Sequence, residues 1–136
     1  MALRPDLDGL RIRMPGSDAI YLIDQGRKRW IVSPAQYERL FRTWDNVHPD
    51  LHLDQIDDGP PLAELANLVR FATDPAVFFA EGGDENNPGL LRWIASAAVM
   101  DRYQFDWNKI VWWANRPGGP PPAGGSNALT KEGRPD

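Results

Sequence analysis

The sequence contains no cysteine and only two histidines among its 136 residues. The absence of cysteine excludes disulfides, thiolate metal ligands and cysteine nucleophiles. No stretch approaches 18 consecutive apolar residues, and the N-terminal residues lack the apolar core of a classical export signal. We therefore expect no membrane insertion and a soluble chain.

An excess of positive charge is also missing. The formal net charge is −4 and the isoelectric point is about 5.1. A mildly acidic chain has no general electrostatic attraction to phosphate backbones or anionic lipids. We therefore expect no nucleic-acid partner.

What the sequence does contain is an internal repeat. Residues 29–31, Arg-Trp-Ile, recur as residues 92–94, at an offset of 63 (92 − 29). Upstream, the apolar segment 20–22 matches 77–79 at an offset of 57 (77 − 20). The difference lies in one loop, which is longer in the second copy. A length change confined to a loop is typical of duplicated structural units.

Each copy has the pattern of three strands followed by a short helix. Residues 10–14 alternate apolar and charged side chains, and residues 28–32 return as a third strand. Between them, residues 19–23 form a continuous apolar run, which predicts a central strand buried on both faces. Ser33 and Pro34 then provide an N-cap and a proline at the first helical position, and Ser96 is the expected N-cap of the second helix. We predict a mainly β fold with short helices: two three-stranded meanders, each with a short helix, related by a pseudo-two-fold axis.

The domain boundaries follow from these repeats. Residues 1–116 are expected to form a single domain, with repeat 1 at about 9–61 and repeat 2 at about 66–116. Each repeat is too short to bury much apolar surface alone, so the two should pack on each other. Residues 117–136 are rich in proline and glycine, and we predict a disordered tail.

Both copies resemble a tandem-repeat module of bacterial proteins with few established functions. In the first copy the resemblance is carried by residues 19–23, by Gly26, by residues 28–31 with the Ser-Pro helix start, and by residues 44–47. It covers roughly residues 9–116. The resemblance implies an extracellular or particle-surface location and assigns no catalytic residues.

Two tryptophans of the first copy recur in the second at the offset of 63: Trp30 matches Trp93, and Trp44 matches Trp107. Indole faces pack well on the C–H faces of sugar rings, so these residues are candidates for carbohydrate stacking. The stronger interpretation is structural, because a residue kept at one spacing in both copies is expected to fill a shared core. Arg29 and Arg92 each precede a tryptophan and should pair with a carboxylate on the opposite strand face.

Trp112 and Trp113 have no tryptophan counterpart in the first copy. Adjacent side chains of a strand face opposite ways, so one indole should join the core and the other should be exposed. Together with Asn115 and Arg116, they form the predicted ligand-binding site, because unmatched exposed aromatics are enriched at recognition surfaces.

We identify no catalytic residues, no metal site and no cofactor. His48, Asp50, His52 and Asp54 are residue types that can bind Zn²⁺. They alternate with apolar residues, however, and a half-exposed strand produces the same pattern. No nucleophile and base occur in a recognisable context.

Two functions follow from these observations. The first is a non-catalytic binding module, recognising a carbohydrate on a cell or particle surface. The alternative is a structural or interaction protein whose exposed tryptophans and Gly/Pro-rich tail dock onto a protein partner or a neighbouring copy. We do not expect an enzyme.

Overall fold

The computed structural model describes residues 2–45, 47–50, 52–63, 66–72, 74–81, 90–114 and 128–132. The elements are β1 (Arg11–Arg13), β2 (Ile20–Asp24), β3 (Arg27–Trp30), α1 (Pro34–Leu40), β4 (Val47–Pro49), β5 (Asn67–Phe71), β6 (Val77–Glu81), β7 (Leu90–Trp93), α2 (Ala97–Tyr103) and β8 (Val111–Trp113). This confirms a mainly β fold with short helices and two similar units. Among the described residues, neither helix has the length or the apolar character needed to cross a membrane.

Each unit forms a four-stranded sheet, in the orders β3-β2-β1-β4 and β7-β6-β5-β8. The predicted meander of three antiparallel strands is present in both units. The fourth strand was not predicted as part of the sheet. It follows the helix and pairs in parallel with the first strand of its own unit. The helix supplies the crossover that a parallel connection requires.

Both α-helices begin as the sequence predicts. The Ser33 hydroxyl accepts a hydrogen bond from the Gln36 backbone N–H, and the Ser96 hydroxyl accepts one from Val99. Tyr37 faces the core, as do Leu40 and Phe41, with at most 1% of each residue exposed. A two-turn helix is not stable alone, so this buried face holds it in place.

The two units share one apolar core. Its largest cluster combines Leu22, Tyr37 and Phe41 of the first unit with residues of the second, among them Phe79 and Phe105. A smaller cluster covers the other face of each sheet. Leu22 and its neighbour Ile23 belong to different clusters and are both fully buried, which confirms β2 as a strand buried on both faces.

A buried cluster of four charges also joins the units. The Arg29 and Arg92 guanidinium groups both donate to Asp24 Oδ2, at 2.9 and 2.6 Å. Both also reach Glu81, at 2.5 and 3.3 Å. Burial alone would raise the pKa of Asp24, but hydrogen bonds and charges from Arg92 and Arg29 outweigh it and lower the pKa below its usual value. The predicted pairing of the two arginines with carboxylates is confirmed.

One described residue of the predicted disordered tail is part of the core. Leu129 is 1% exposed, donates its backbone N–H to the Trp93 carbonyl, and accepts from the Ala95 N–H. In the first unit, Leu62 donates to the Trp30 carbonyl in the same way. The prediction of disorder is therefore wrong for this residue, because the second unit closes with a distant leucine. Residues 115–127 and 133–136 lie outside the described residues.

The segment that carries His48, Asp50, His52 and Asp54 is not one strand. β4 ends at Pro49, and residues Leu53–Gln55 form a short 3-10 helix. The alternating pattern therefore does not place the four side chains on one strand face.

Candidate functional site

Two surface grooves of similar size occupy equivalent places in the two units. The first groove has a volume of about 330 Å³ and the second about 340 Å³. The lining residues of the first groove that have counterparts in the second are Ala19, Ile20, Trp30, Ser33, Tyr37 and Trp44. Their counterparts at offsets of 57 or 63 line the second: Ala76, Val77, Trp93, Ser96, Met100 and Trp107. The sequence repeat therefore produces a repeated groove.

One tryptophan of each groove ends the third strand of its sheet. Trp30 is the last residue of β3 and pairs with Tyr21, and Trp93 is the last residue of β7 and pairs with Phe78. Trp30 is 44% exposed, whereas its neighbour Arg29 is 8% exposed. The strand alternation was predicted correctly, but it is the arginine that faces inward.

The other tryptophan of each groove follows the helix. The Trp44 indole stacks on the Tyr37 ring, with centroids 3.9 Å apart and planes at 10°, and its Nε1 donates to Glu38 at 3.3 Å. In the second unit, Trp107 begins a short 3-10 helix, Trp107–Lys109, which Asp106 caps through the Asn108 N–H. Both indoles are nearly half exposed, so each can present a face to a ligand.

The prediction that the four repeated tryptophans fill the core is wrong for Trp30, Trp44 and Trp107, which are 44–47% exposed. Trp93 is half-buried and packs against the smaller cluster of the second sheet. For Trp30 the physical reason is that its strand neighbour Arg29 faces inward and pairs there with Asp24 and Glu81, which turns the indole outward. Trp44 and Trp107 follow the helices and line the grooves at the surface. The equal spacing in both copies reflects a shared surface.

Of the predicted ligand-binding residues, Trp112 is the exposed one. It is 58% exposed, and the Arg70 guanidinium lies 4.3 Å from its ring centroid. Trp113 is 7% exposed and packs edge-on against Phe71 in the core. The alternation of this pair is confirmed, and burial leaves Trp113 unavailable to a ligand. Asn115 and Arg116 lie outside the described residues, and Trp112 lies outside both grooves.

Charge is scarce in the grooves. Among the described lining residues, Asp18 of the first groove and Asp74 of the second are the only charged side chains. One Asp74 oxygen accepts from the Ala76 N–H, and the Ser33 and Ser96 hydroxyls cap helices. Burial raises the pKa of Tyr37 despite the nearby Arg11 charge, so its hydroxyl stays protonated and donates to the Thr43 carbonyl. Such a lining can bind a ligand through apolar faces and a few hydrogen bonds.

The described residues hold no group of three or more His, Asp or Glu side chains placed to bind a metal ion. Comparison of the chain with protein families, with curated proteins and with solved structures finds no match. The two grooves are therefore the candidate functional sites of the described residues.

Proposed function

We propose that this protein is a non-catalytic binding module for neutral carbohydrate, with one site in each groove. The observation that carries this proposal is the duplicated groove with two tryptophans at equivalent positions. A core common to both copies would explain buried tryptophans at equal spacing, but it does not explain three tryptophans that are nearly half exposed. A shared ligand does.

The chemistry of the lining favours a sugar. Small-ligand sites are typically clefts of about 300–1,000 Å³ with mostly apolar walls and a few polar groups. An exposed indole supplies a flat apolar face for the C–H face of a pyranose ring. A carboxylate at the edge, Asp18 or Asp74, can accept hydrogen bonds from hydroxyl groups. The absence of Lys and Arg from the described lining favours a neutral sugar over an acidic one.

The resemblance of both units to a bacterial tandem-repeat module supports an extracellular or particle-surface setting for this binding. A glycan on a cell or particle surface presents many copies of one sugar. Two sites on one chain would then bind with higher avidity than one.

The test is a glycan array that includes neutral and acidic sugars, probed with the wild type and four variants. Trp30→Ala and Trp93→Ala each remove one groove wall, and Trp30→Ala/Trp93→Ala removes both. Trp112→Ala is the matched variant, since it removes an exposed tryptophan outside the grooves. We expect binding to a neutral sugar that weakens in each single variant, disappears in the double variant and persists in Trp112→Ala. Loss in Trp112→Ala alone would move the site to β8, and a silent array with folded protein would refute the proposal.

A second function, protein–protein docking, is favoured by one observation at β8. This strand lies at the edge of its sheet and exposes Val111 and Trp112. In the first sheet, the equivalent edge strand β4 ends in Pro49, and proline is a residue that blocks edge pairing. No described strand pairs with the outer side of β8, and an apolar edge of this kind can add a strand from a partner or a neighbouring copy. A molecular mass that rises with protein concentration in sedimentation, and no longer does so in Val111→Lys, would support this function. A monomer at all concentrations would exclude self-association.

A further inference from the structure

Behind the first groove lies a buried arginine without a carboxylate partner. Arg11 is 1% exposed, and no described carboxylate forms an ion pair with it. Its Nη1 donates to the Tyr37 hydroxyl and to the Thr43 carbonyl, the latter at 2.9 Å. Its Nε and Nη2 are buried and have no hydrogen-bond partner within the described part of the chain. The guanidinium carbon lies over two neighbouring rings, 5.7 Å from the Tyr37 centroid and 5.3 Å from that of Phe41.

The fold does not need this arrangement. The second unit has Leu68 at the position of Arg11 and Met100 at that of Tyr37, at offsets of 57 and 63. Both are fully buried in the shared core. Burying a charge with unsatisfied donors disfavours folding, and an apolar residue of similar size is often neutral or better. The first unit therefore keeps a polar pair that the second unit folds without.

The pair acts on the wall of the first groove. The Tyr37 hydroxyl is tied to Arg11 and to the carbonyl of Thr43, the residue before Trp44. The Tyr37 ring in turn stacks on the Trp44 indole. One indole face is thus held while nearly half of the residue stays exposed. In the second groove, Met100 takes the place of Tyr37, and no ring among the described residues stacks on Trp107.

We infer that Arg11 and Tyr37 are positioning residues that preorganise Trp44, and that the first groove consequently binds neutral oligosaccharide more tightly than the second. This inference rests on the proposed carbohydrate function. A side chain that is already ordered loses less conformational freedom on binding. Holding one such side chain in place is expected to make the first groove about two- to tenfold tighter.

The test uses the indole N–H resonances of the full chain, labelled with nitrogen-15. Trp44 and Trp107 each report one groove in the same molecule, so the second groove is the internal control. Relaxation without ligand measures indole order, and titration with cellohexaose and with chitohexaose, both neutral β-linked chains, measures a Kd at each groove. The main variant is Arg11→Leu/Tyr37→Met, which copies the pair already present in the second unit. Tyr37→Phe is a milder variant that keeps the ring and removes the hydroxyl.

In the wild type we expect a more ordered indole and a lower Kd at Trp44 than at Trp107. In the double variant, order at Trp44 should fall and its Kd should rise to that of Trp107, while the second groove is unchanged. The thermal midpoint should stay the same or rise, because a buried unsatisfied charge has been removed. Tyr37→Phe should give an intermediate Kd at Trp44.

Equal order and equal Kd at the two grooves in the wild type would overturn the inference and leave the proposed function intact. A double variant whose Kd at the first groove stays as low as in the wild type would likewise overturn the inference and leave the proposed function intact. A lower thermal midpoint with both grooves weakened together would show that the pair is merely structural. If neither indole responds to either hexasaccharide, the proposed function fails, and this inference fails with it.

Discussion

Replacing Asp24 with asparagine tests how the two units are joined. Asn has nearly the shape of Asp but no charge, so the substitution leaves two buried guanidinium groups facing one carboxylate, Glu81. The side chains of Asp24, Arg29 and Arg92 are 2–10% exposed, so water has little access to replace the lost carboxylate. Breaking a buried ion pair from one side typically costs about 3–5 kcal/mol. That is a large part of the total of about 5–15 kcal/mol that holds such a domain together.

The assay is equilibrium unfolding in urea. With an m-value of about 2 kcal/mol/M, a loss of about 4 kcal/mol lowers the urea midpoint by roughly 2 M. Asp6→Asn is the matched control, because Asp6 also pairs with an arginine, Arg4, but at an exposed position. Its midpoint should not change measurably, since exposed ion pairs add little. If Asp24→Asn shifts the midpoint no more than Asp6→Asn does, the charge cluster does not hold the units together.

Three further predictions concern acid, the tail and a glycine. The folded-state pKa of Asp24 lies below its value of 3.8 in the unfolded chain, so the stability that the Asp24 carboxylate provides is present above about pH 4 and is lost as the pH falls through the folded-state pKa. The urea midpoint should therefore depend less on pH below pH 4 in Asp24→Asn than in the wild type. Parallel curves of midpoint against pH would contradict this. Leu129→Ala and Leu62→Ala should each lower the unfolding free energy by about 2–5 kcal/mol. Leu3→Ala, at a position 51% exposed, should have little effect. An unchanged urea midpoint for Leu129→Ala would show that Leu129 does not pack in the core. Gly9→Ala should destabilise the protein more than Gly16→Ala, although both positions have positive φ, because a Cβ at Gly9 would lie 2.7 Å from Arg102 Cγ, whereas one at Gly16 would meet no atom of the described residues within 4 Å. Thermal unfolding that ranks the two variants the other way would contradict the packing around Gly9.

Much of the architecture could be predicted because the repeat offsets combine with ordinary strand and helix patterns. The apolar run around Leu22 predicted a strand buried on both faces, and Ser33 with Pro34 predicted the helix start; both are confirmed. The segment around Trp112 and Trp113 was expected to be a strand, but neither it nor the short strand Val47–Pro49 was assigned a place in a sheet. Their place in the sheet depends on parallel pairing with β1 and β5, which no local pattern encodes.

The grooves were harder to predict. Alternation along β3 shows that Arg29 and Trp30 face opposite ways, but not which of them faces inward. That depends on Asp24 and Glu81, which lie in two different units and meet the arginines only in the folded protein. Leu129 was missed for a similar reason. A single leucine within a proline- and glycine-rich segment has no periodicity, and its partner Trp93 is 36 positions away (129 − 93).

We propose that each of the two grooves binds one neutral sugar chain. Isothermal titration with the neutral glycan that scores highest on the array measures the number of sites directly. We predict two sites per chain in the wild type, one in Trp30→Ala or Trp93→Ala, and none in the double variant, with all variants folded. A single site in the wild type, or binding that survives in Trp30→Ala/Trp93→Ala, would contradict it.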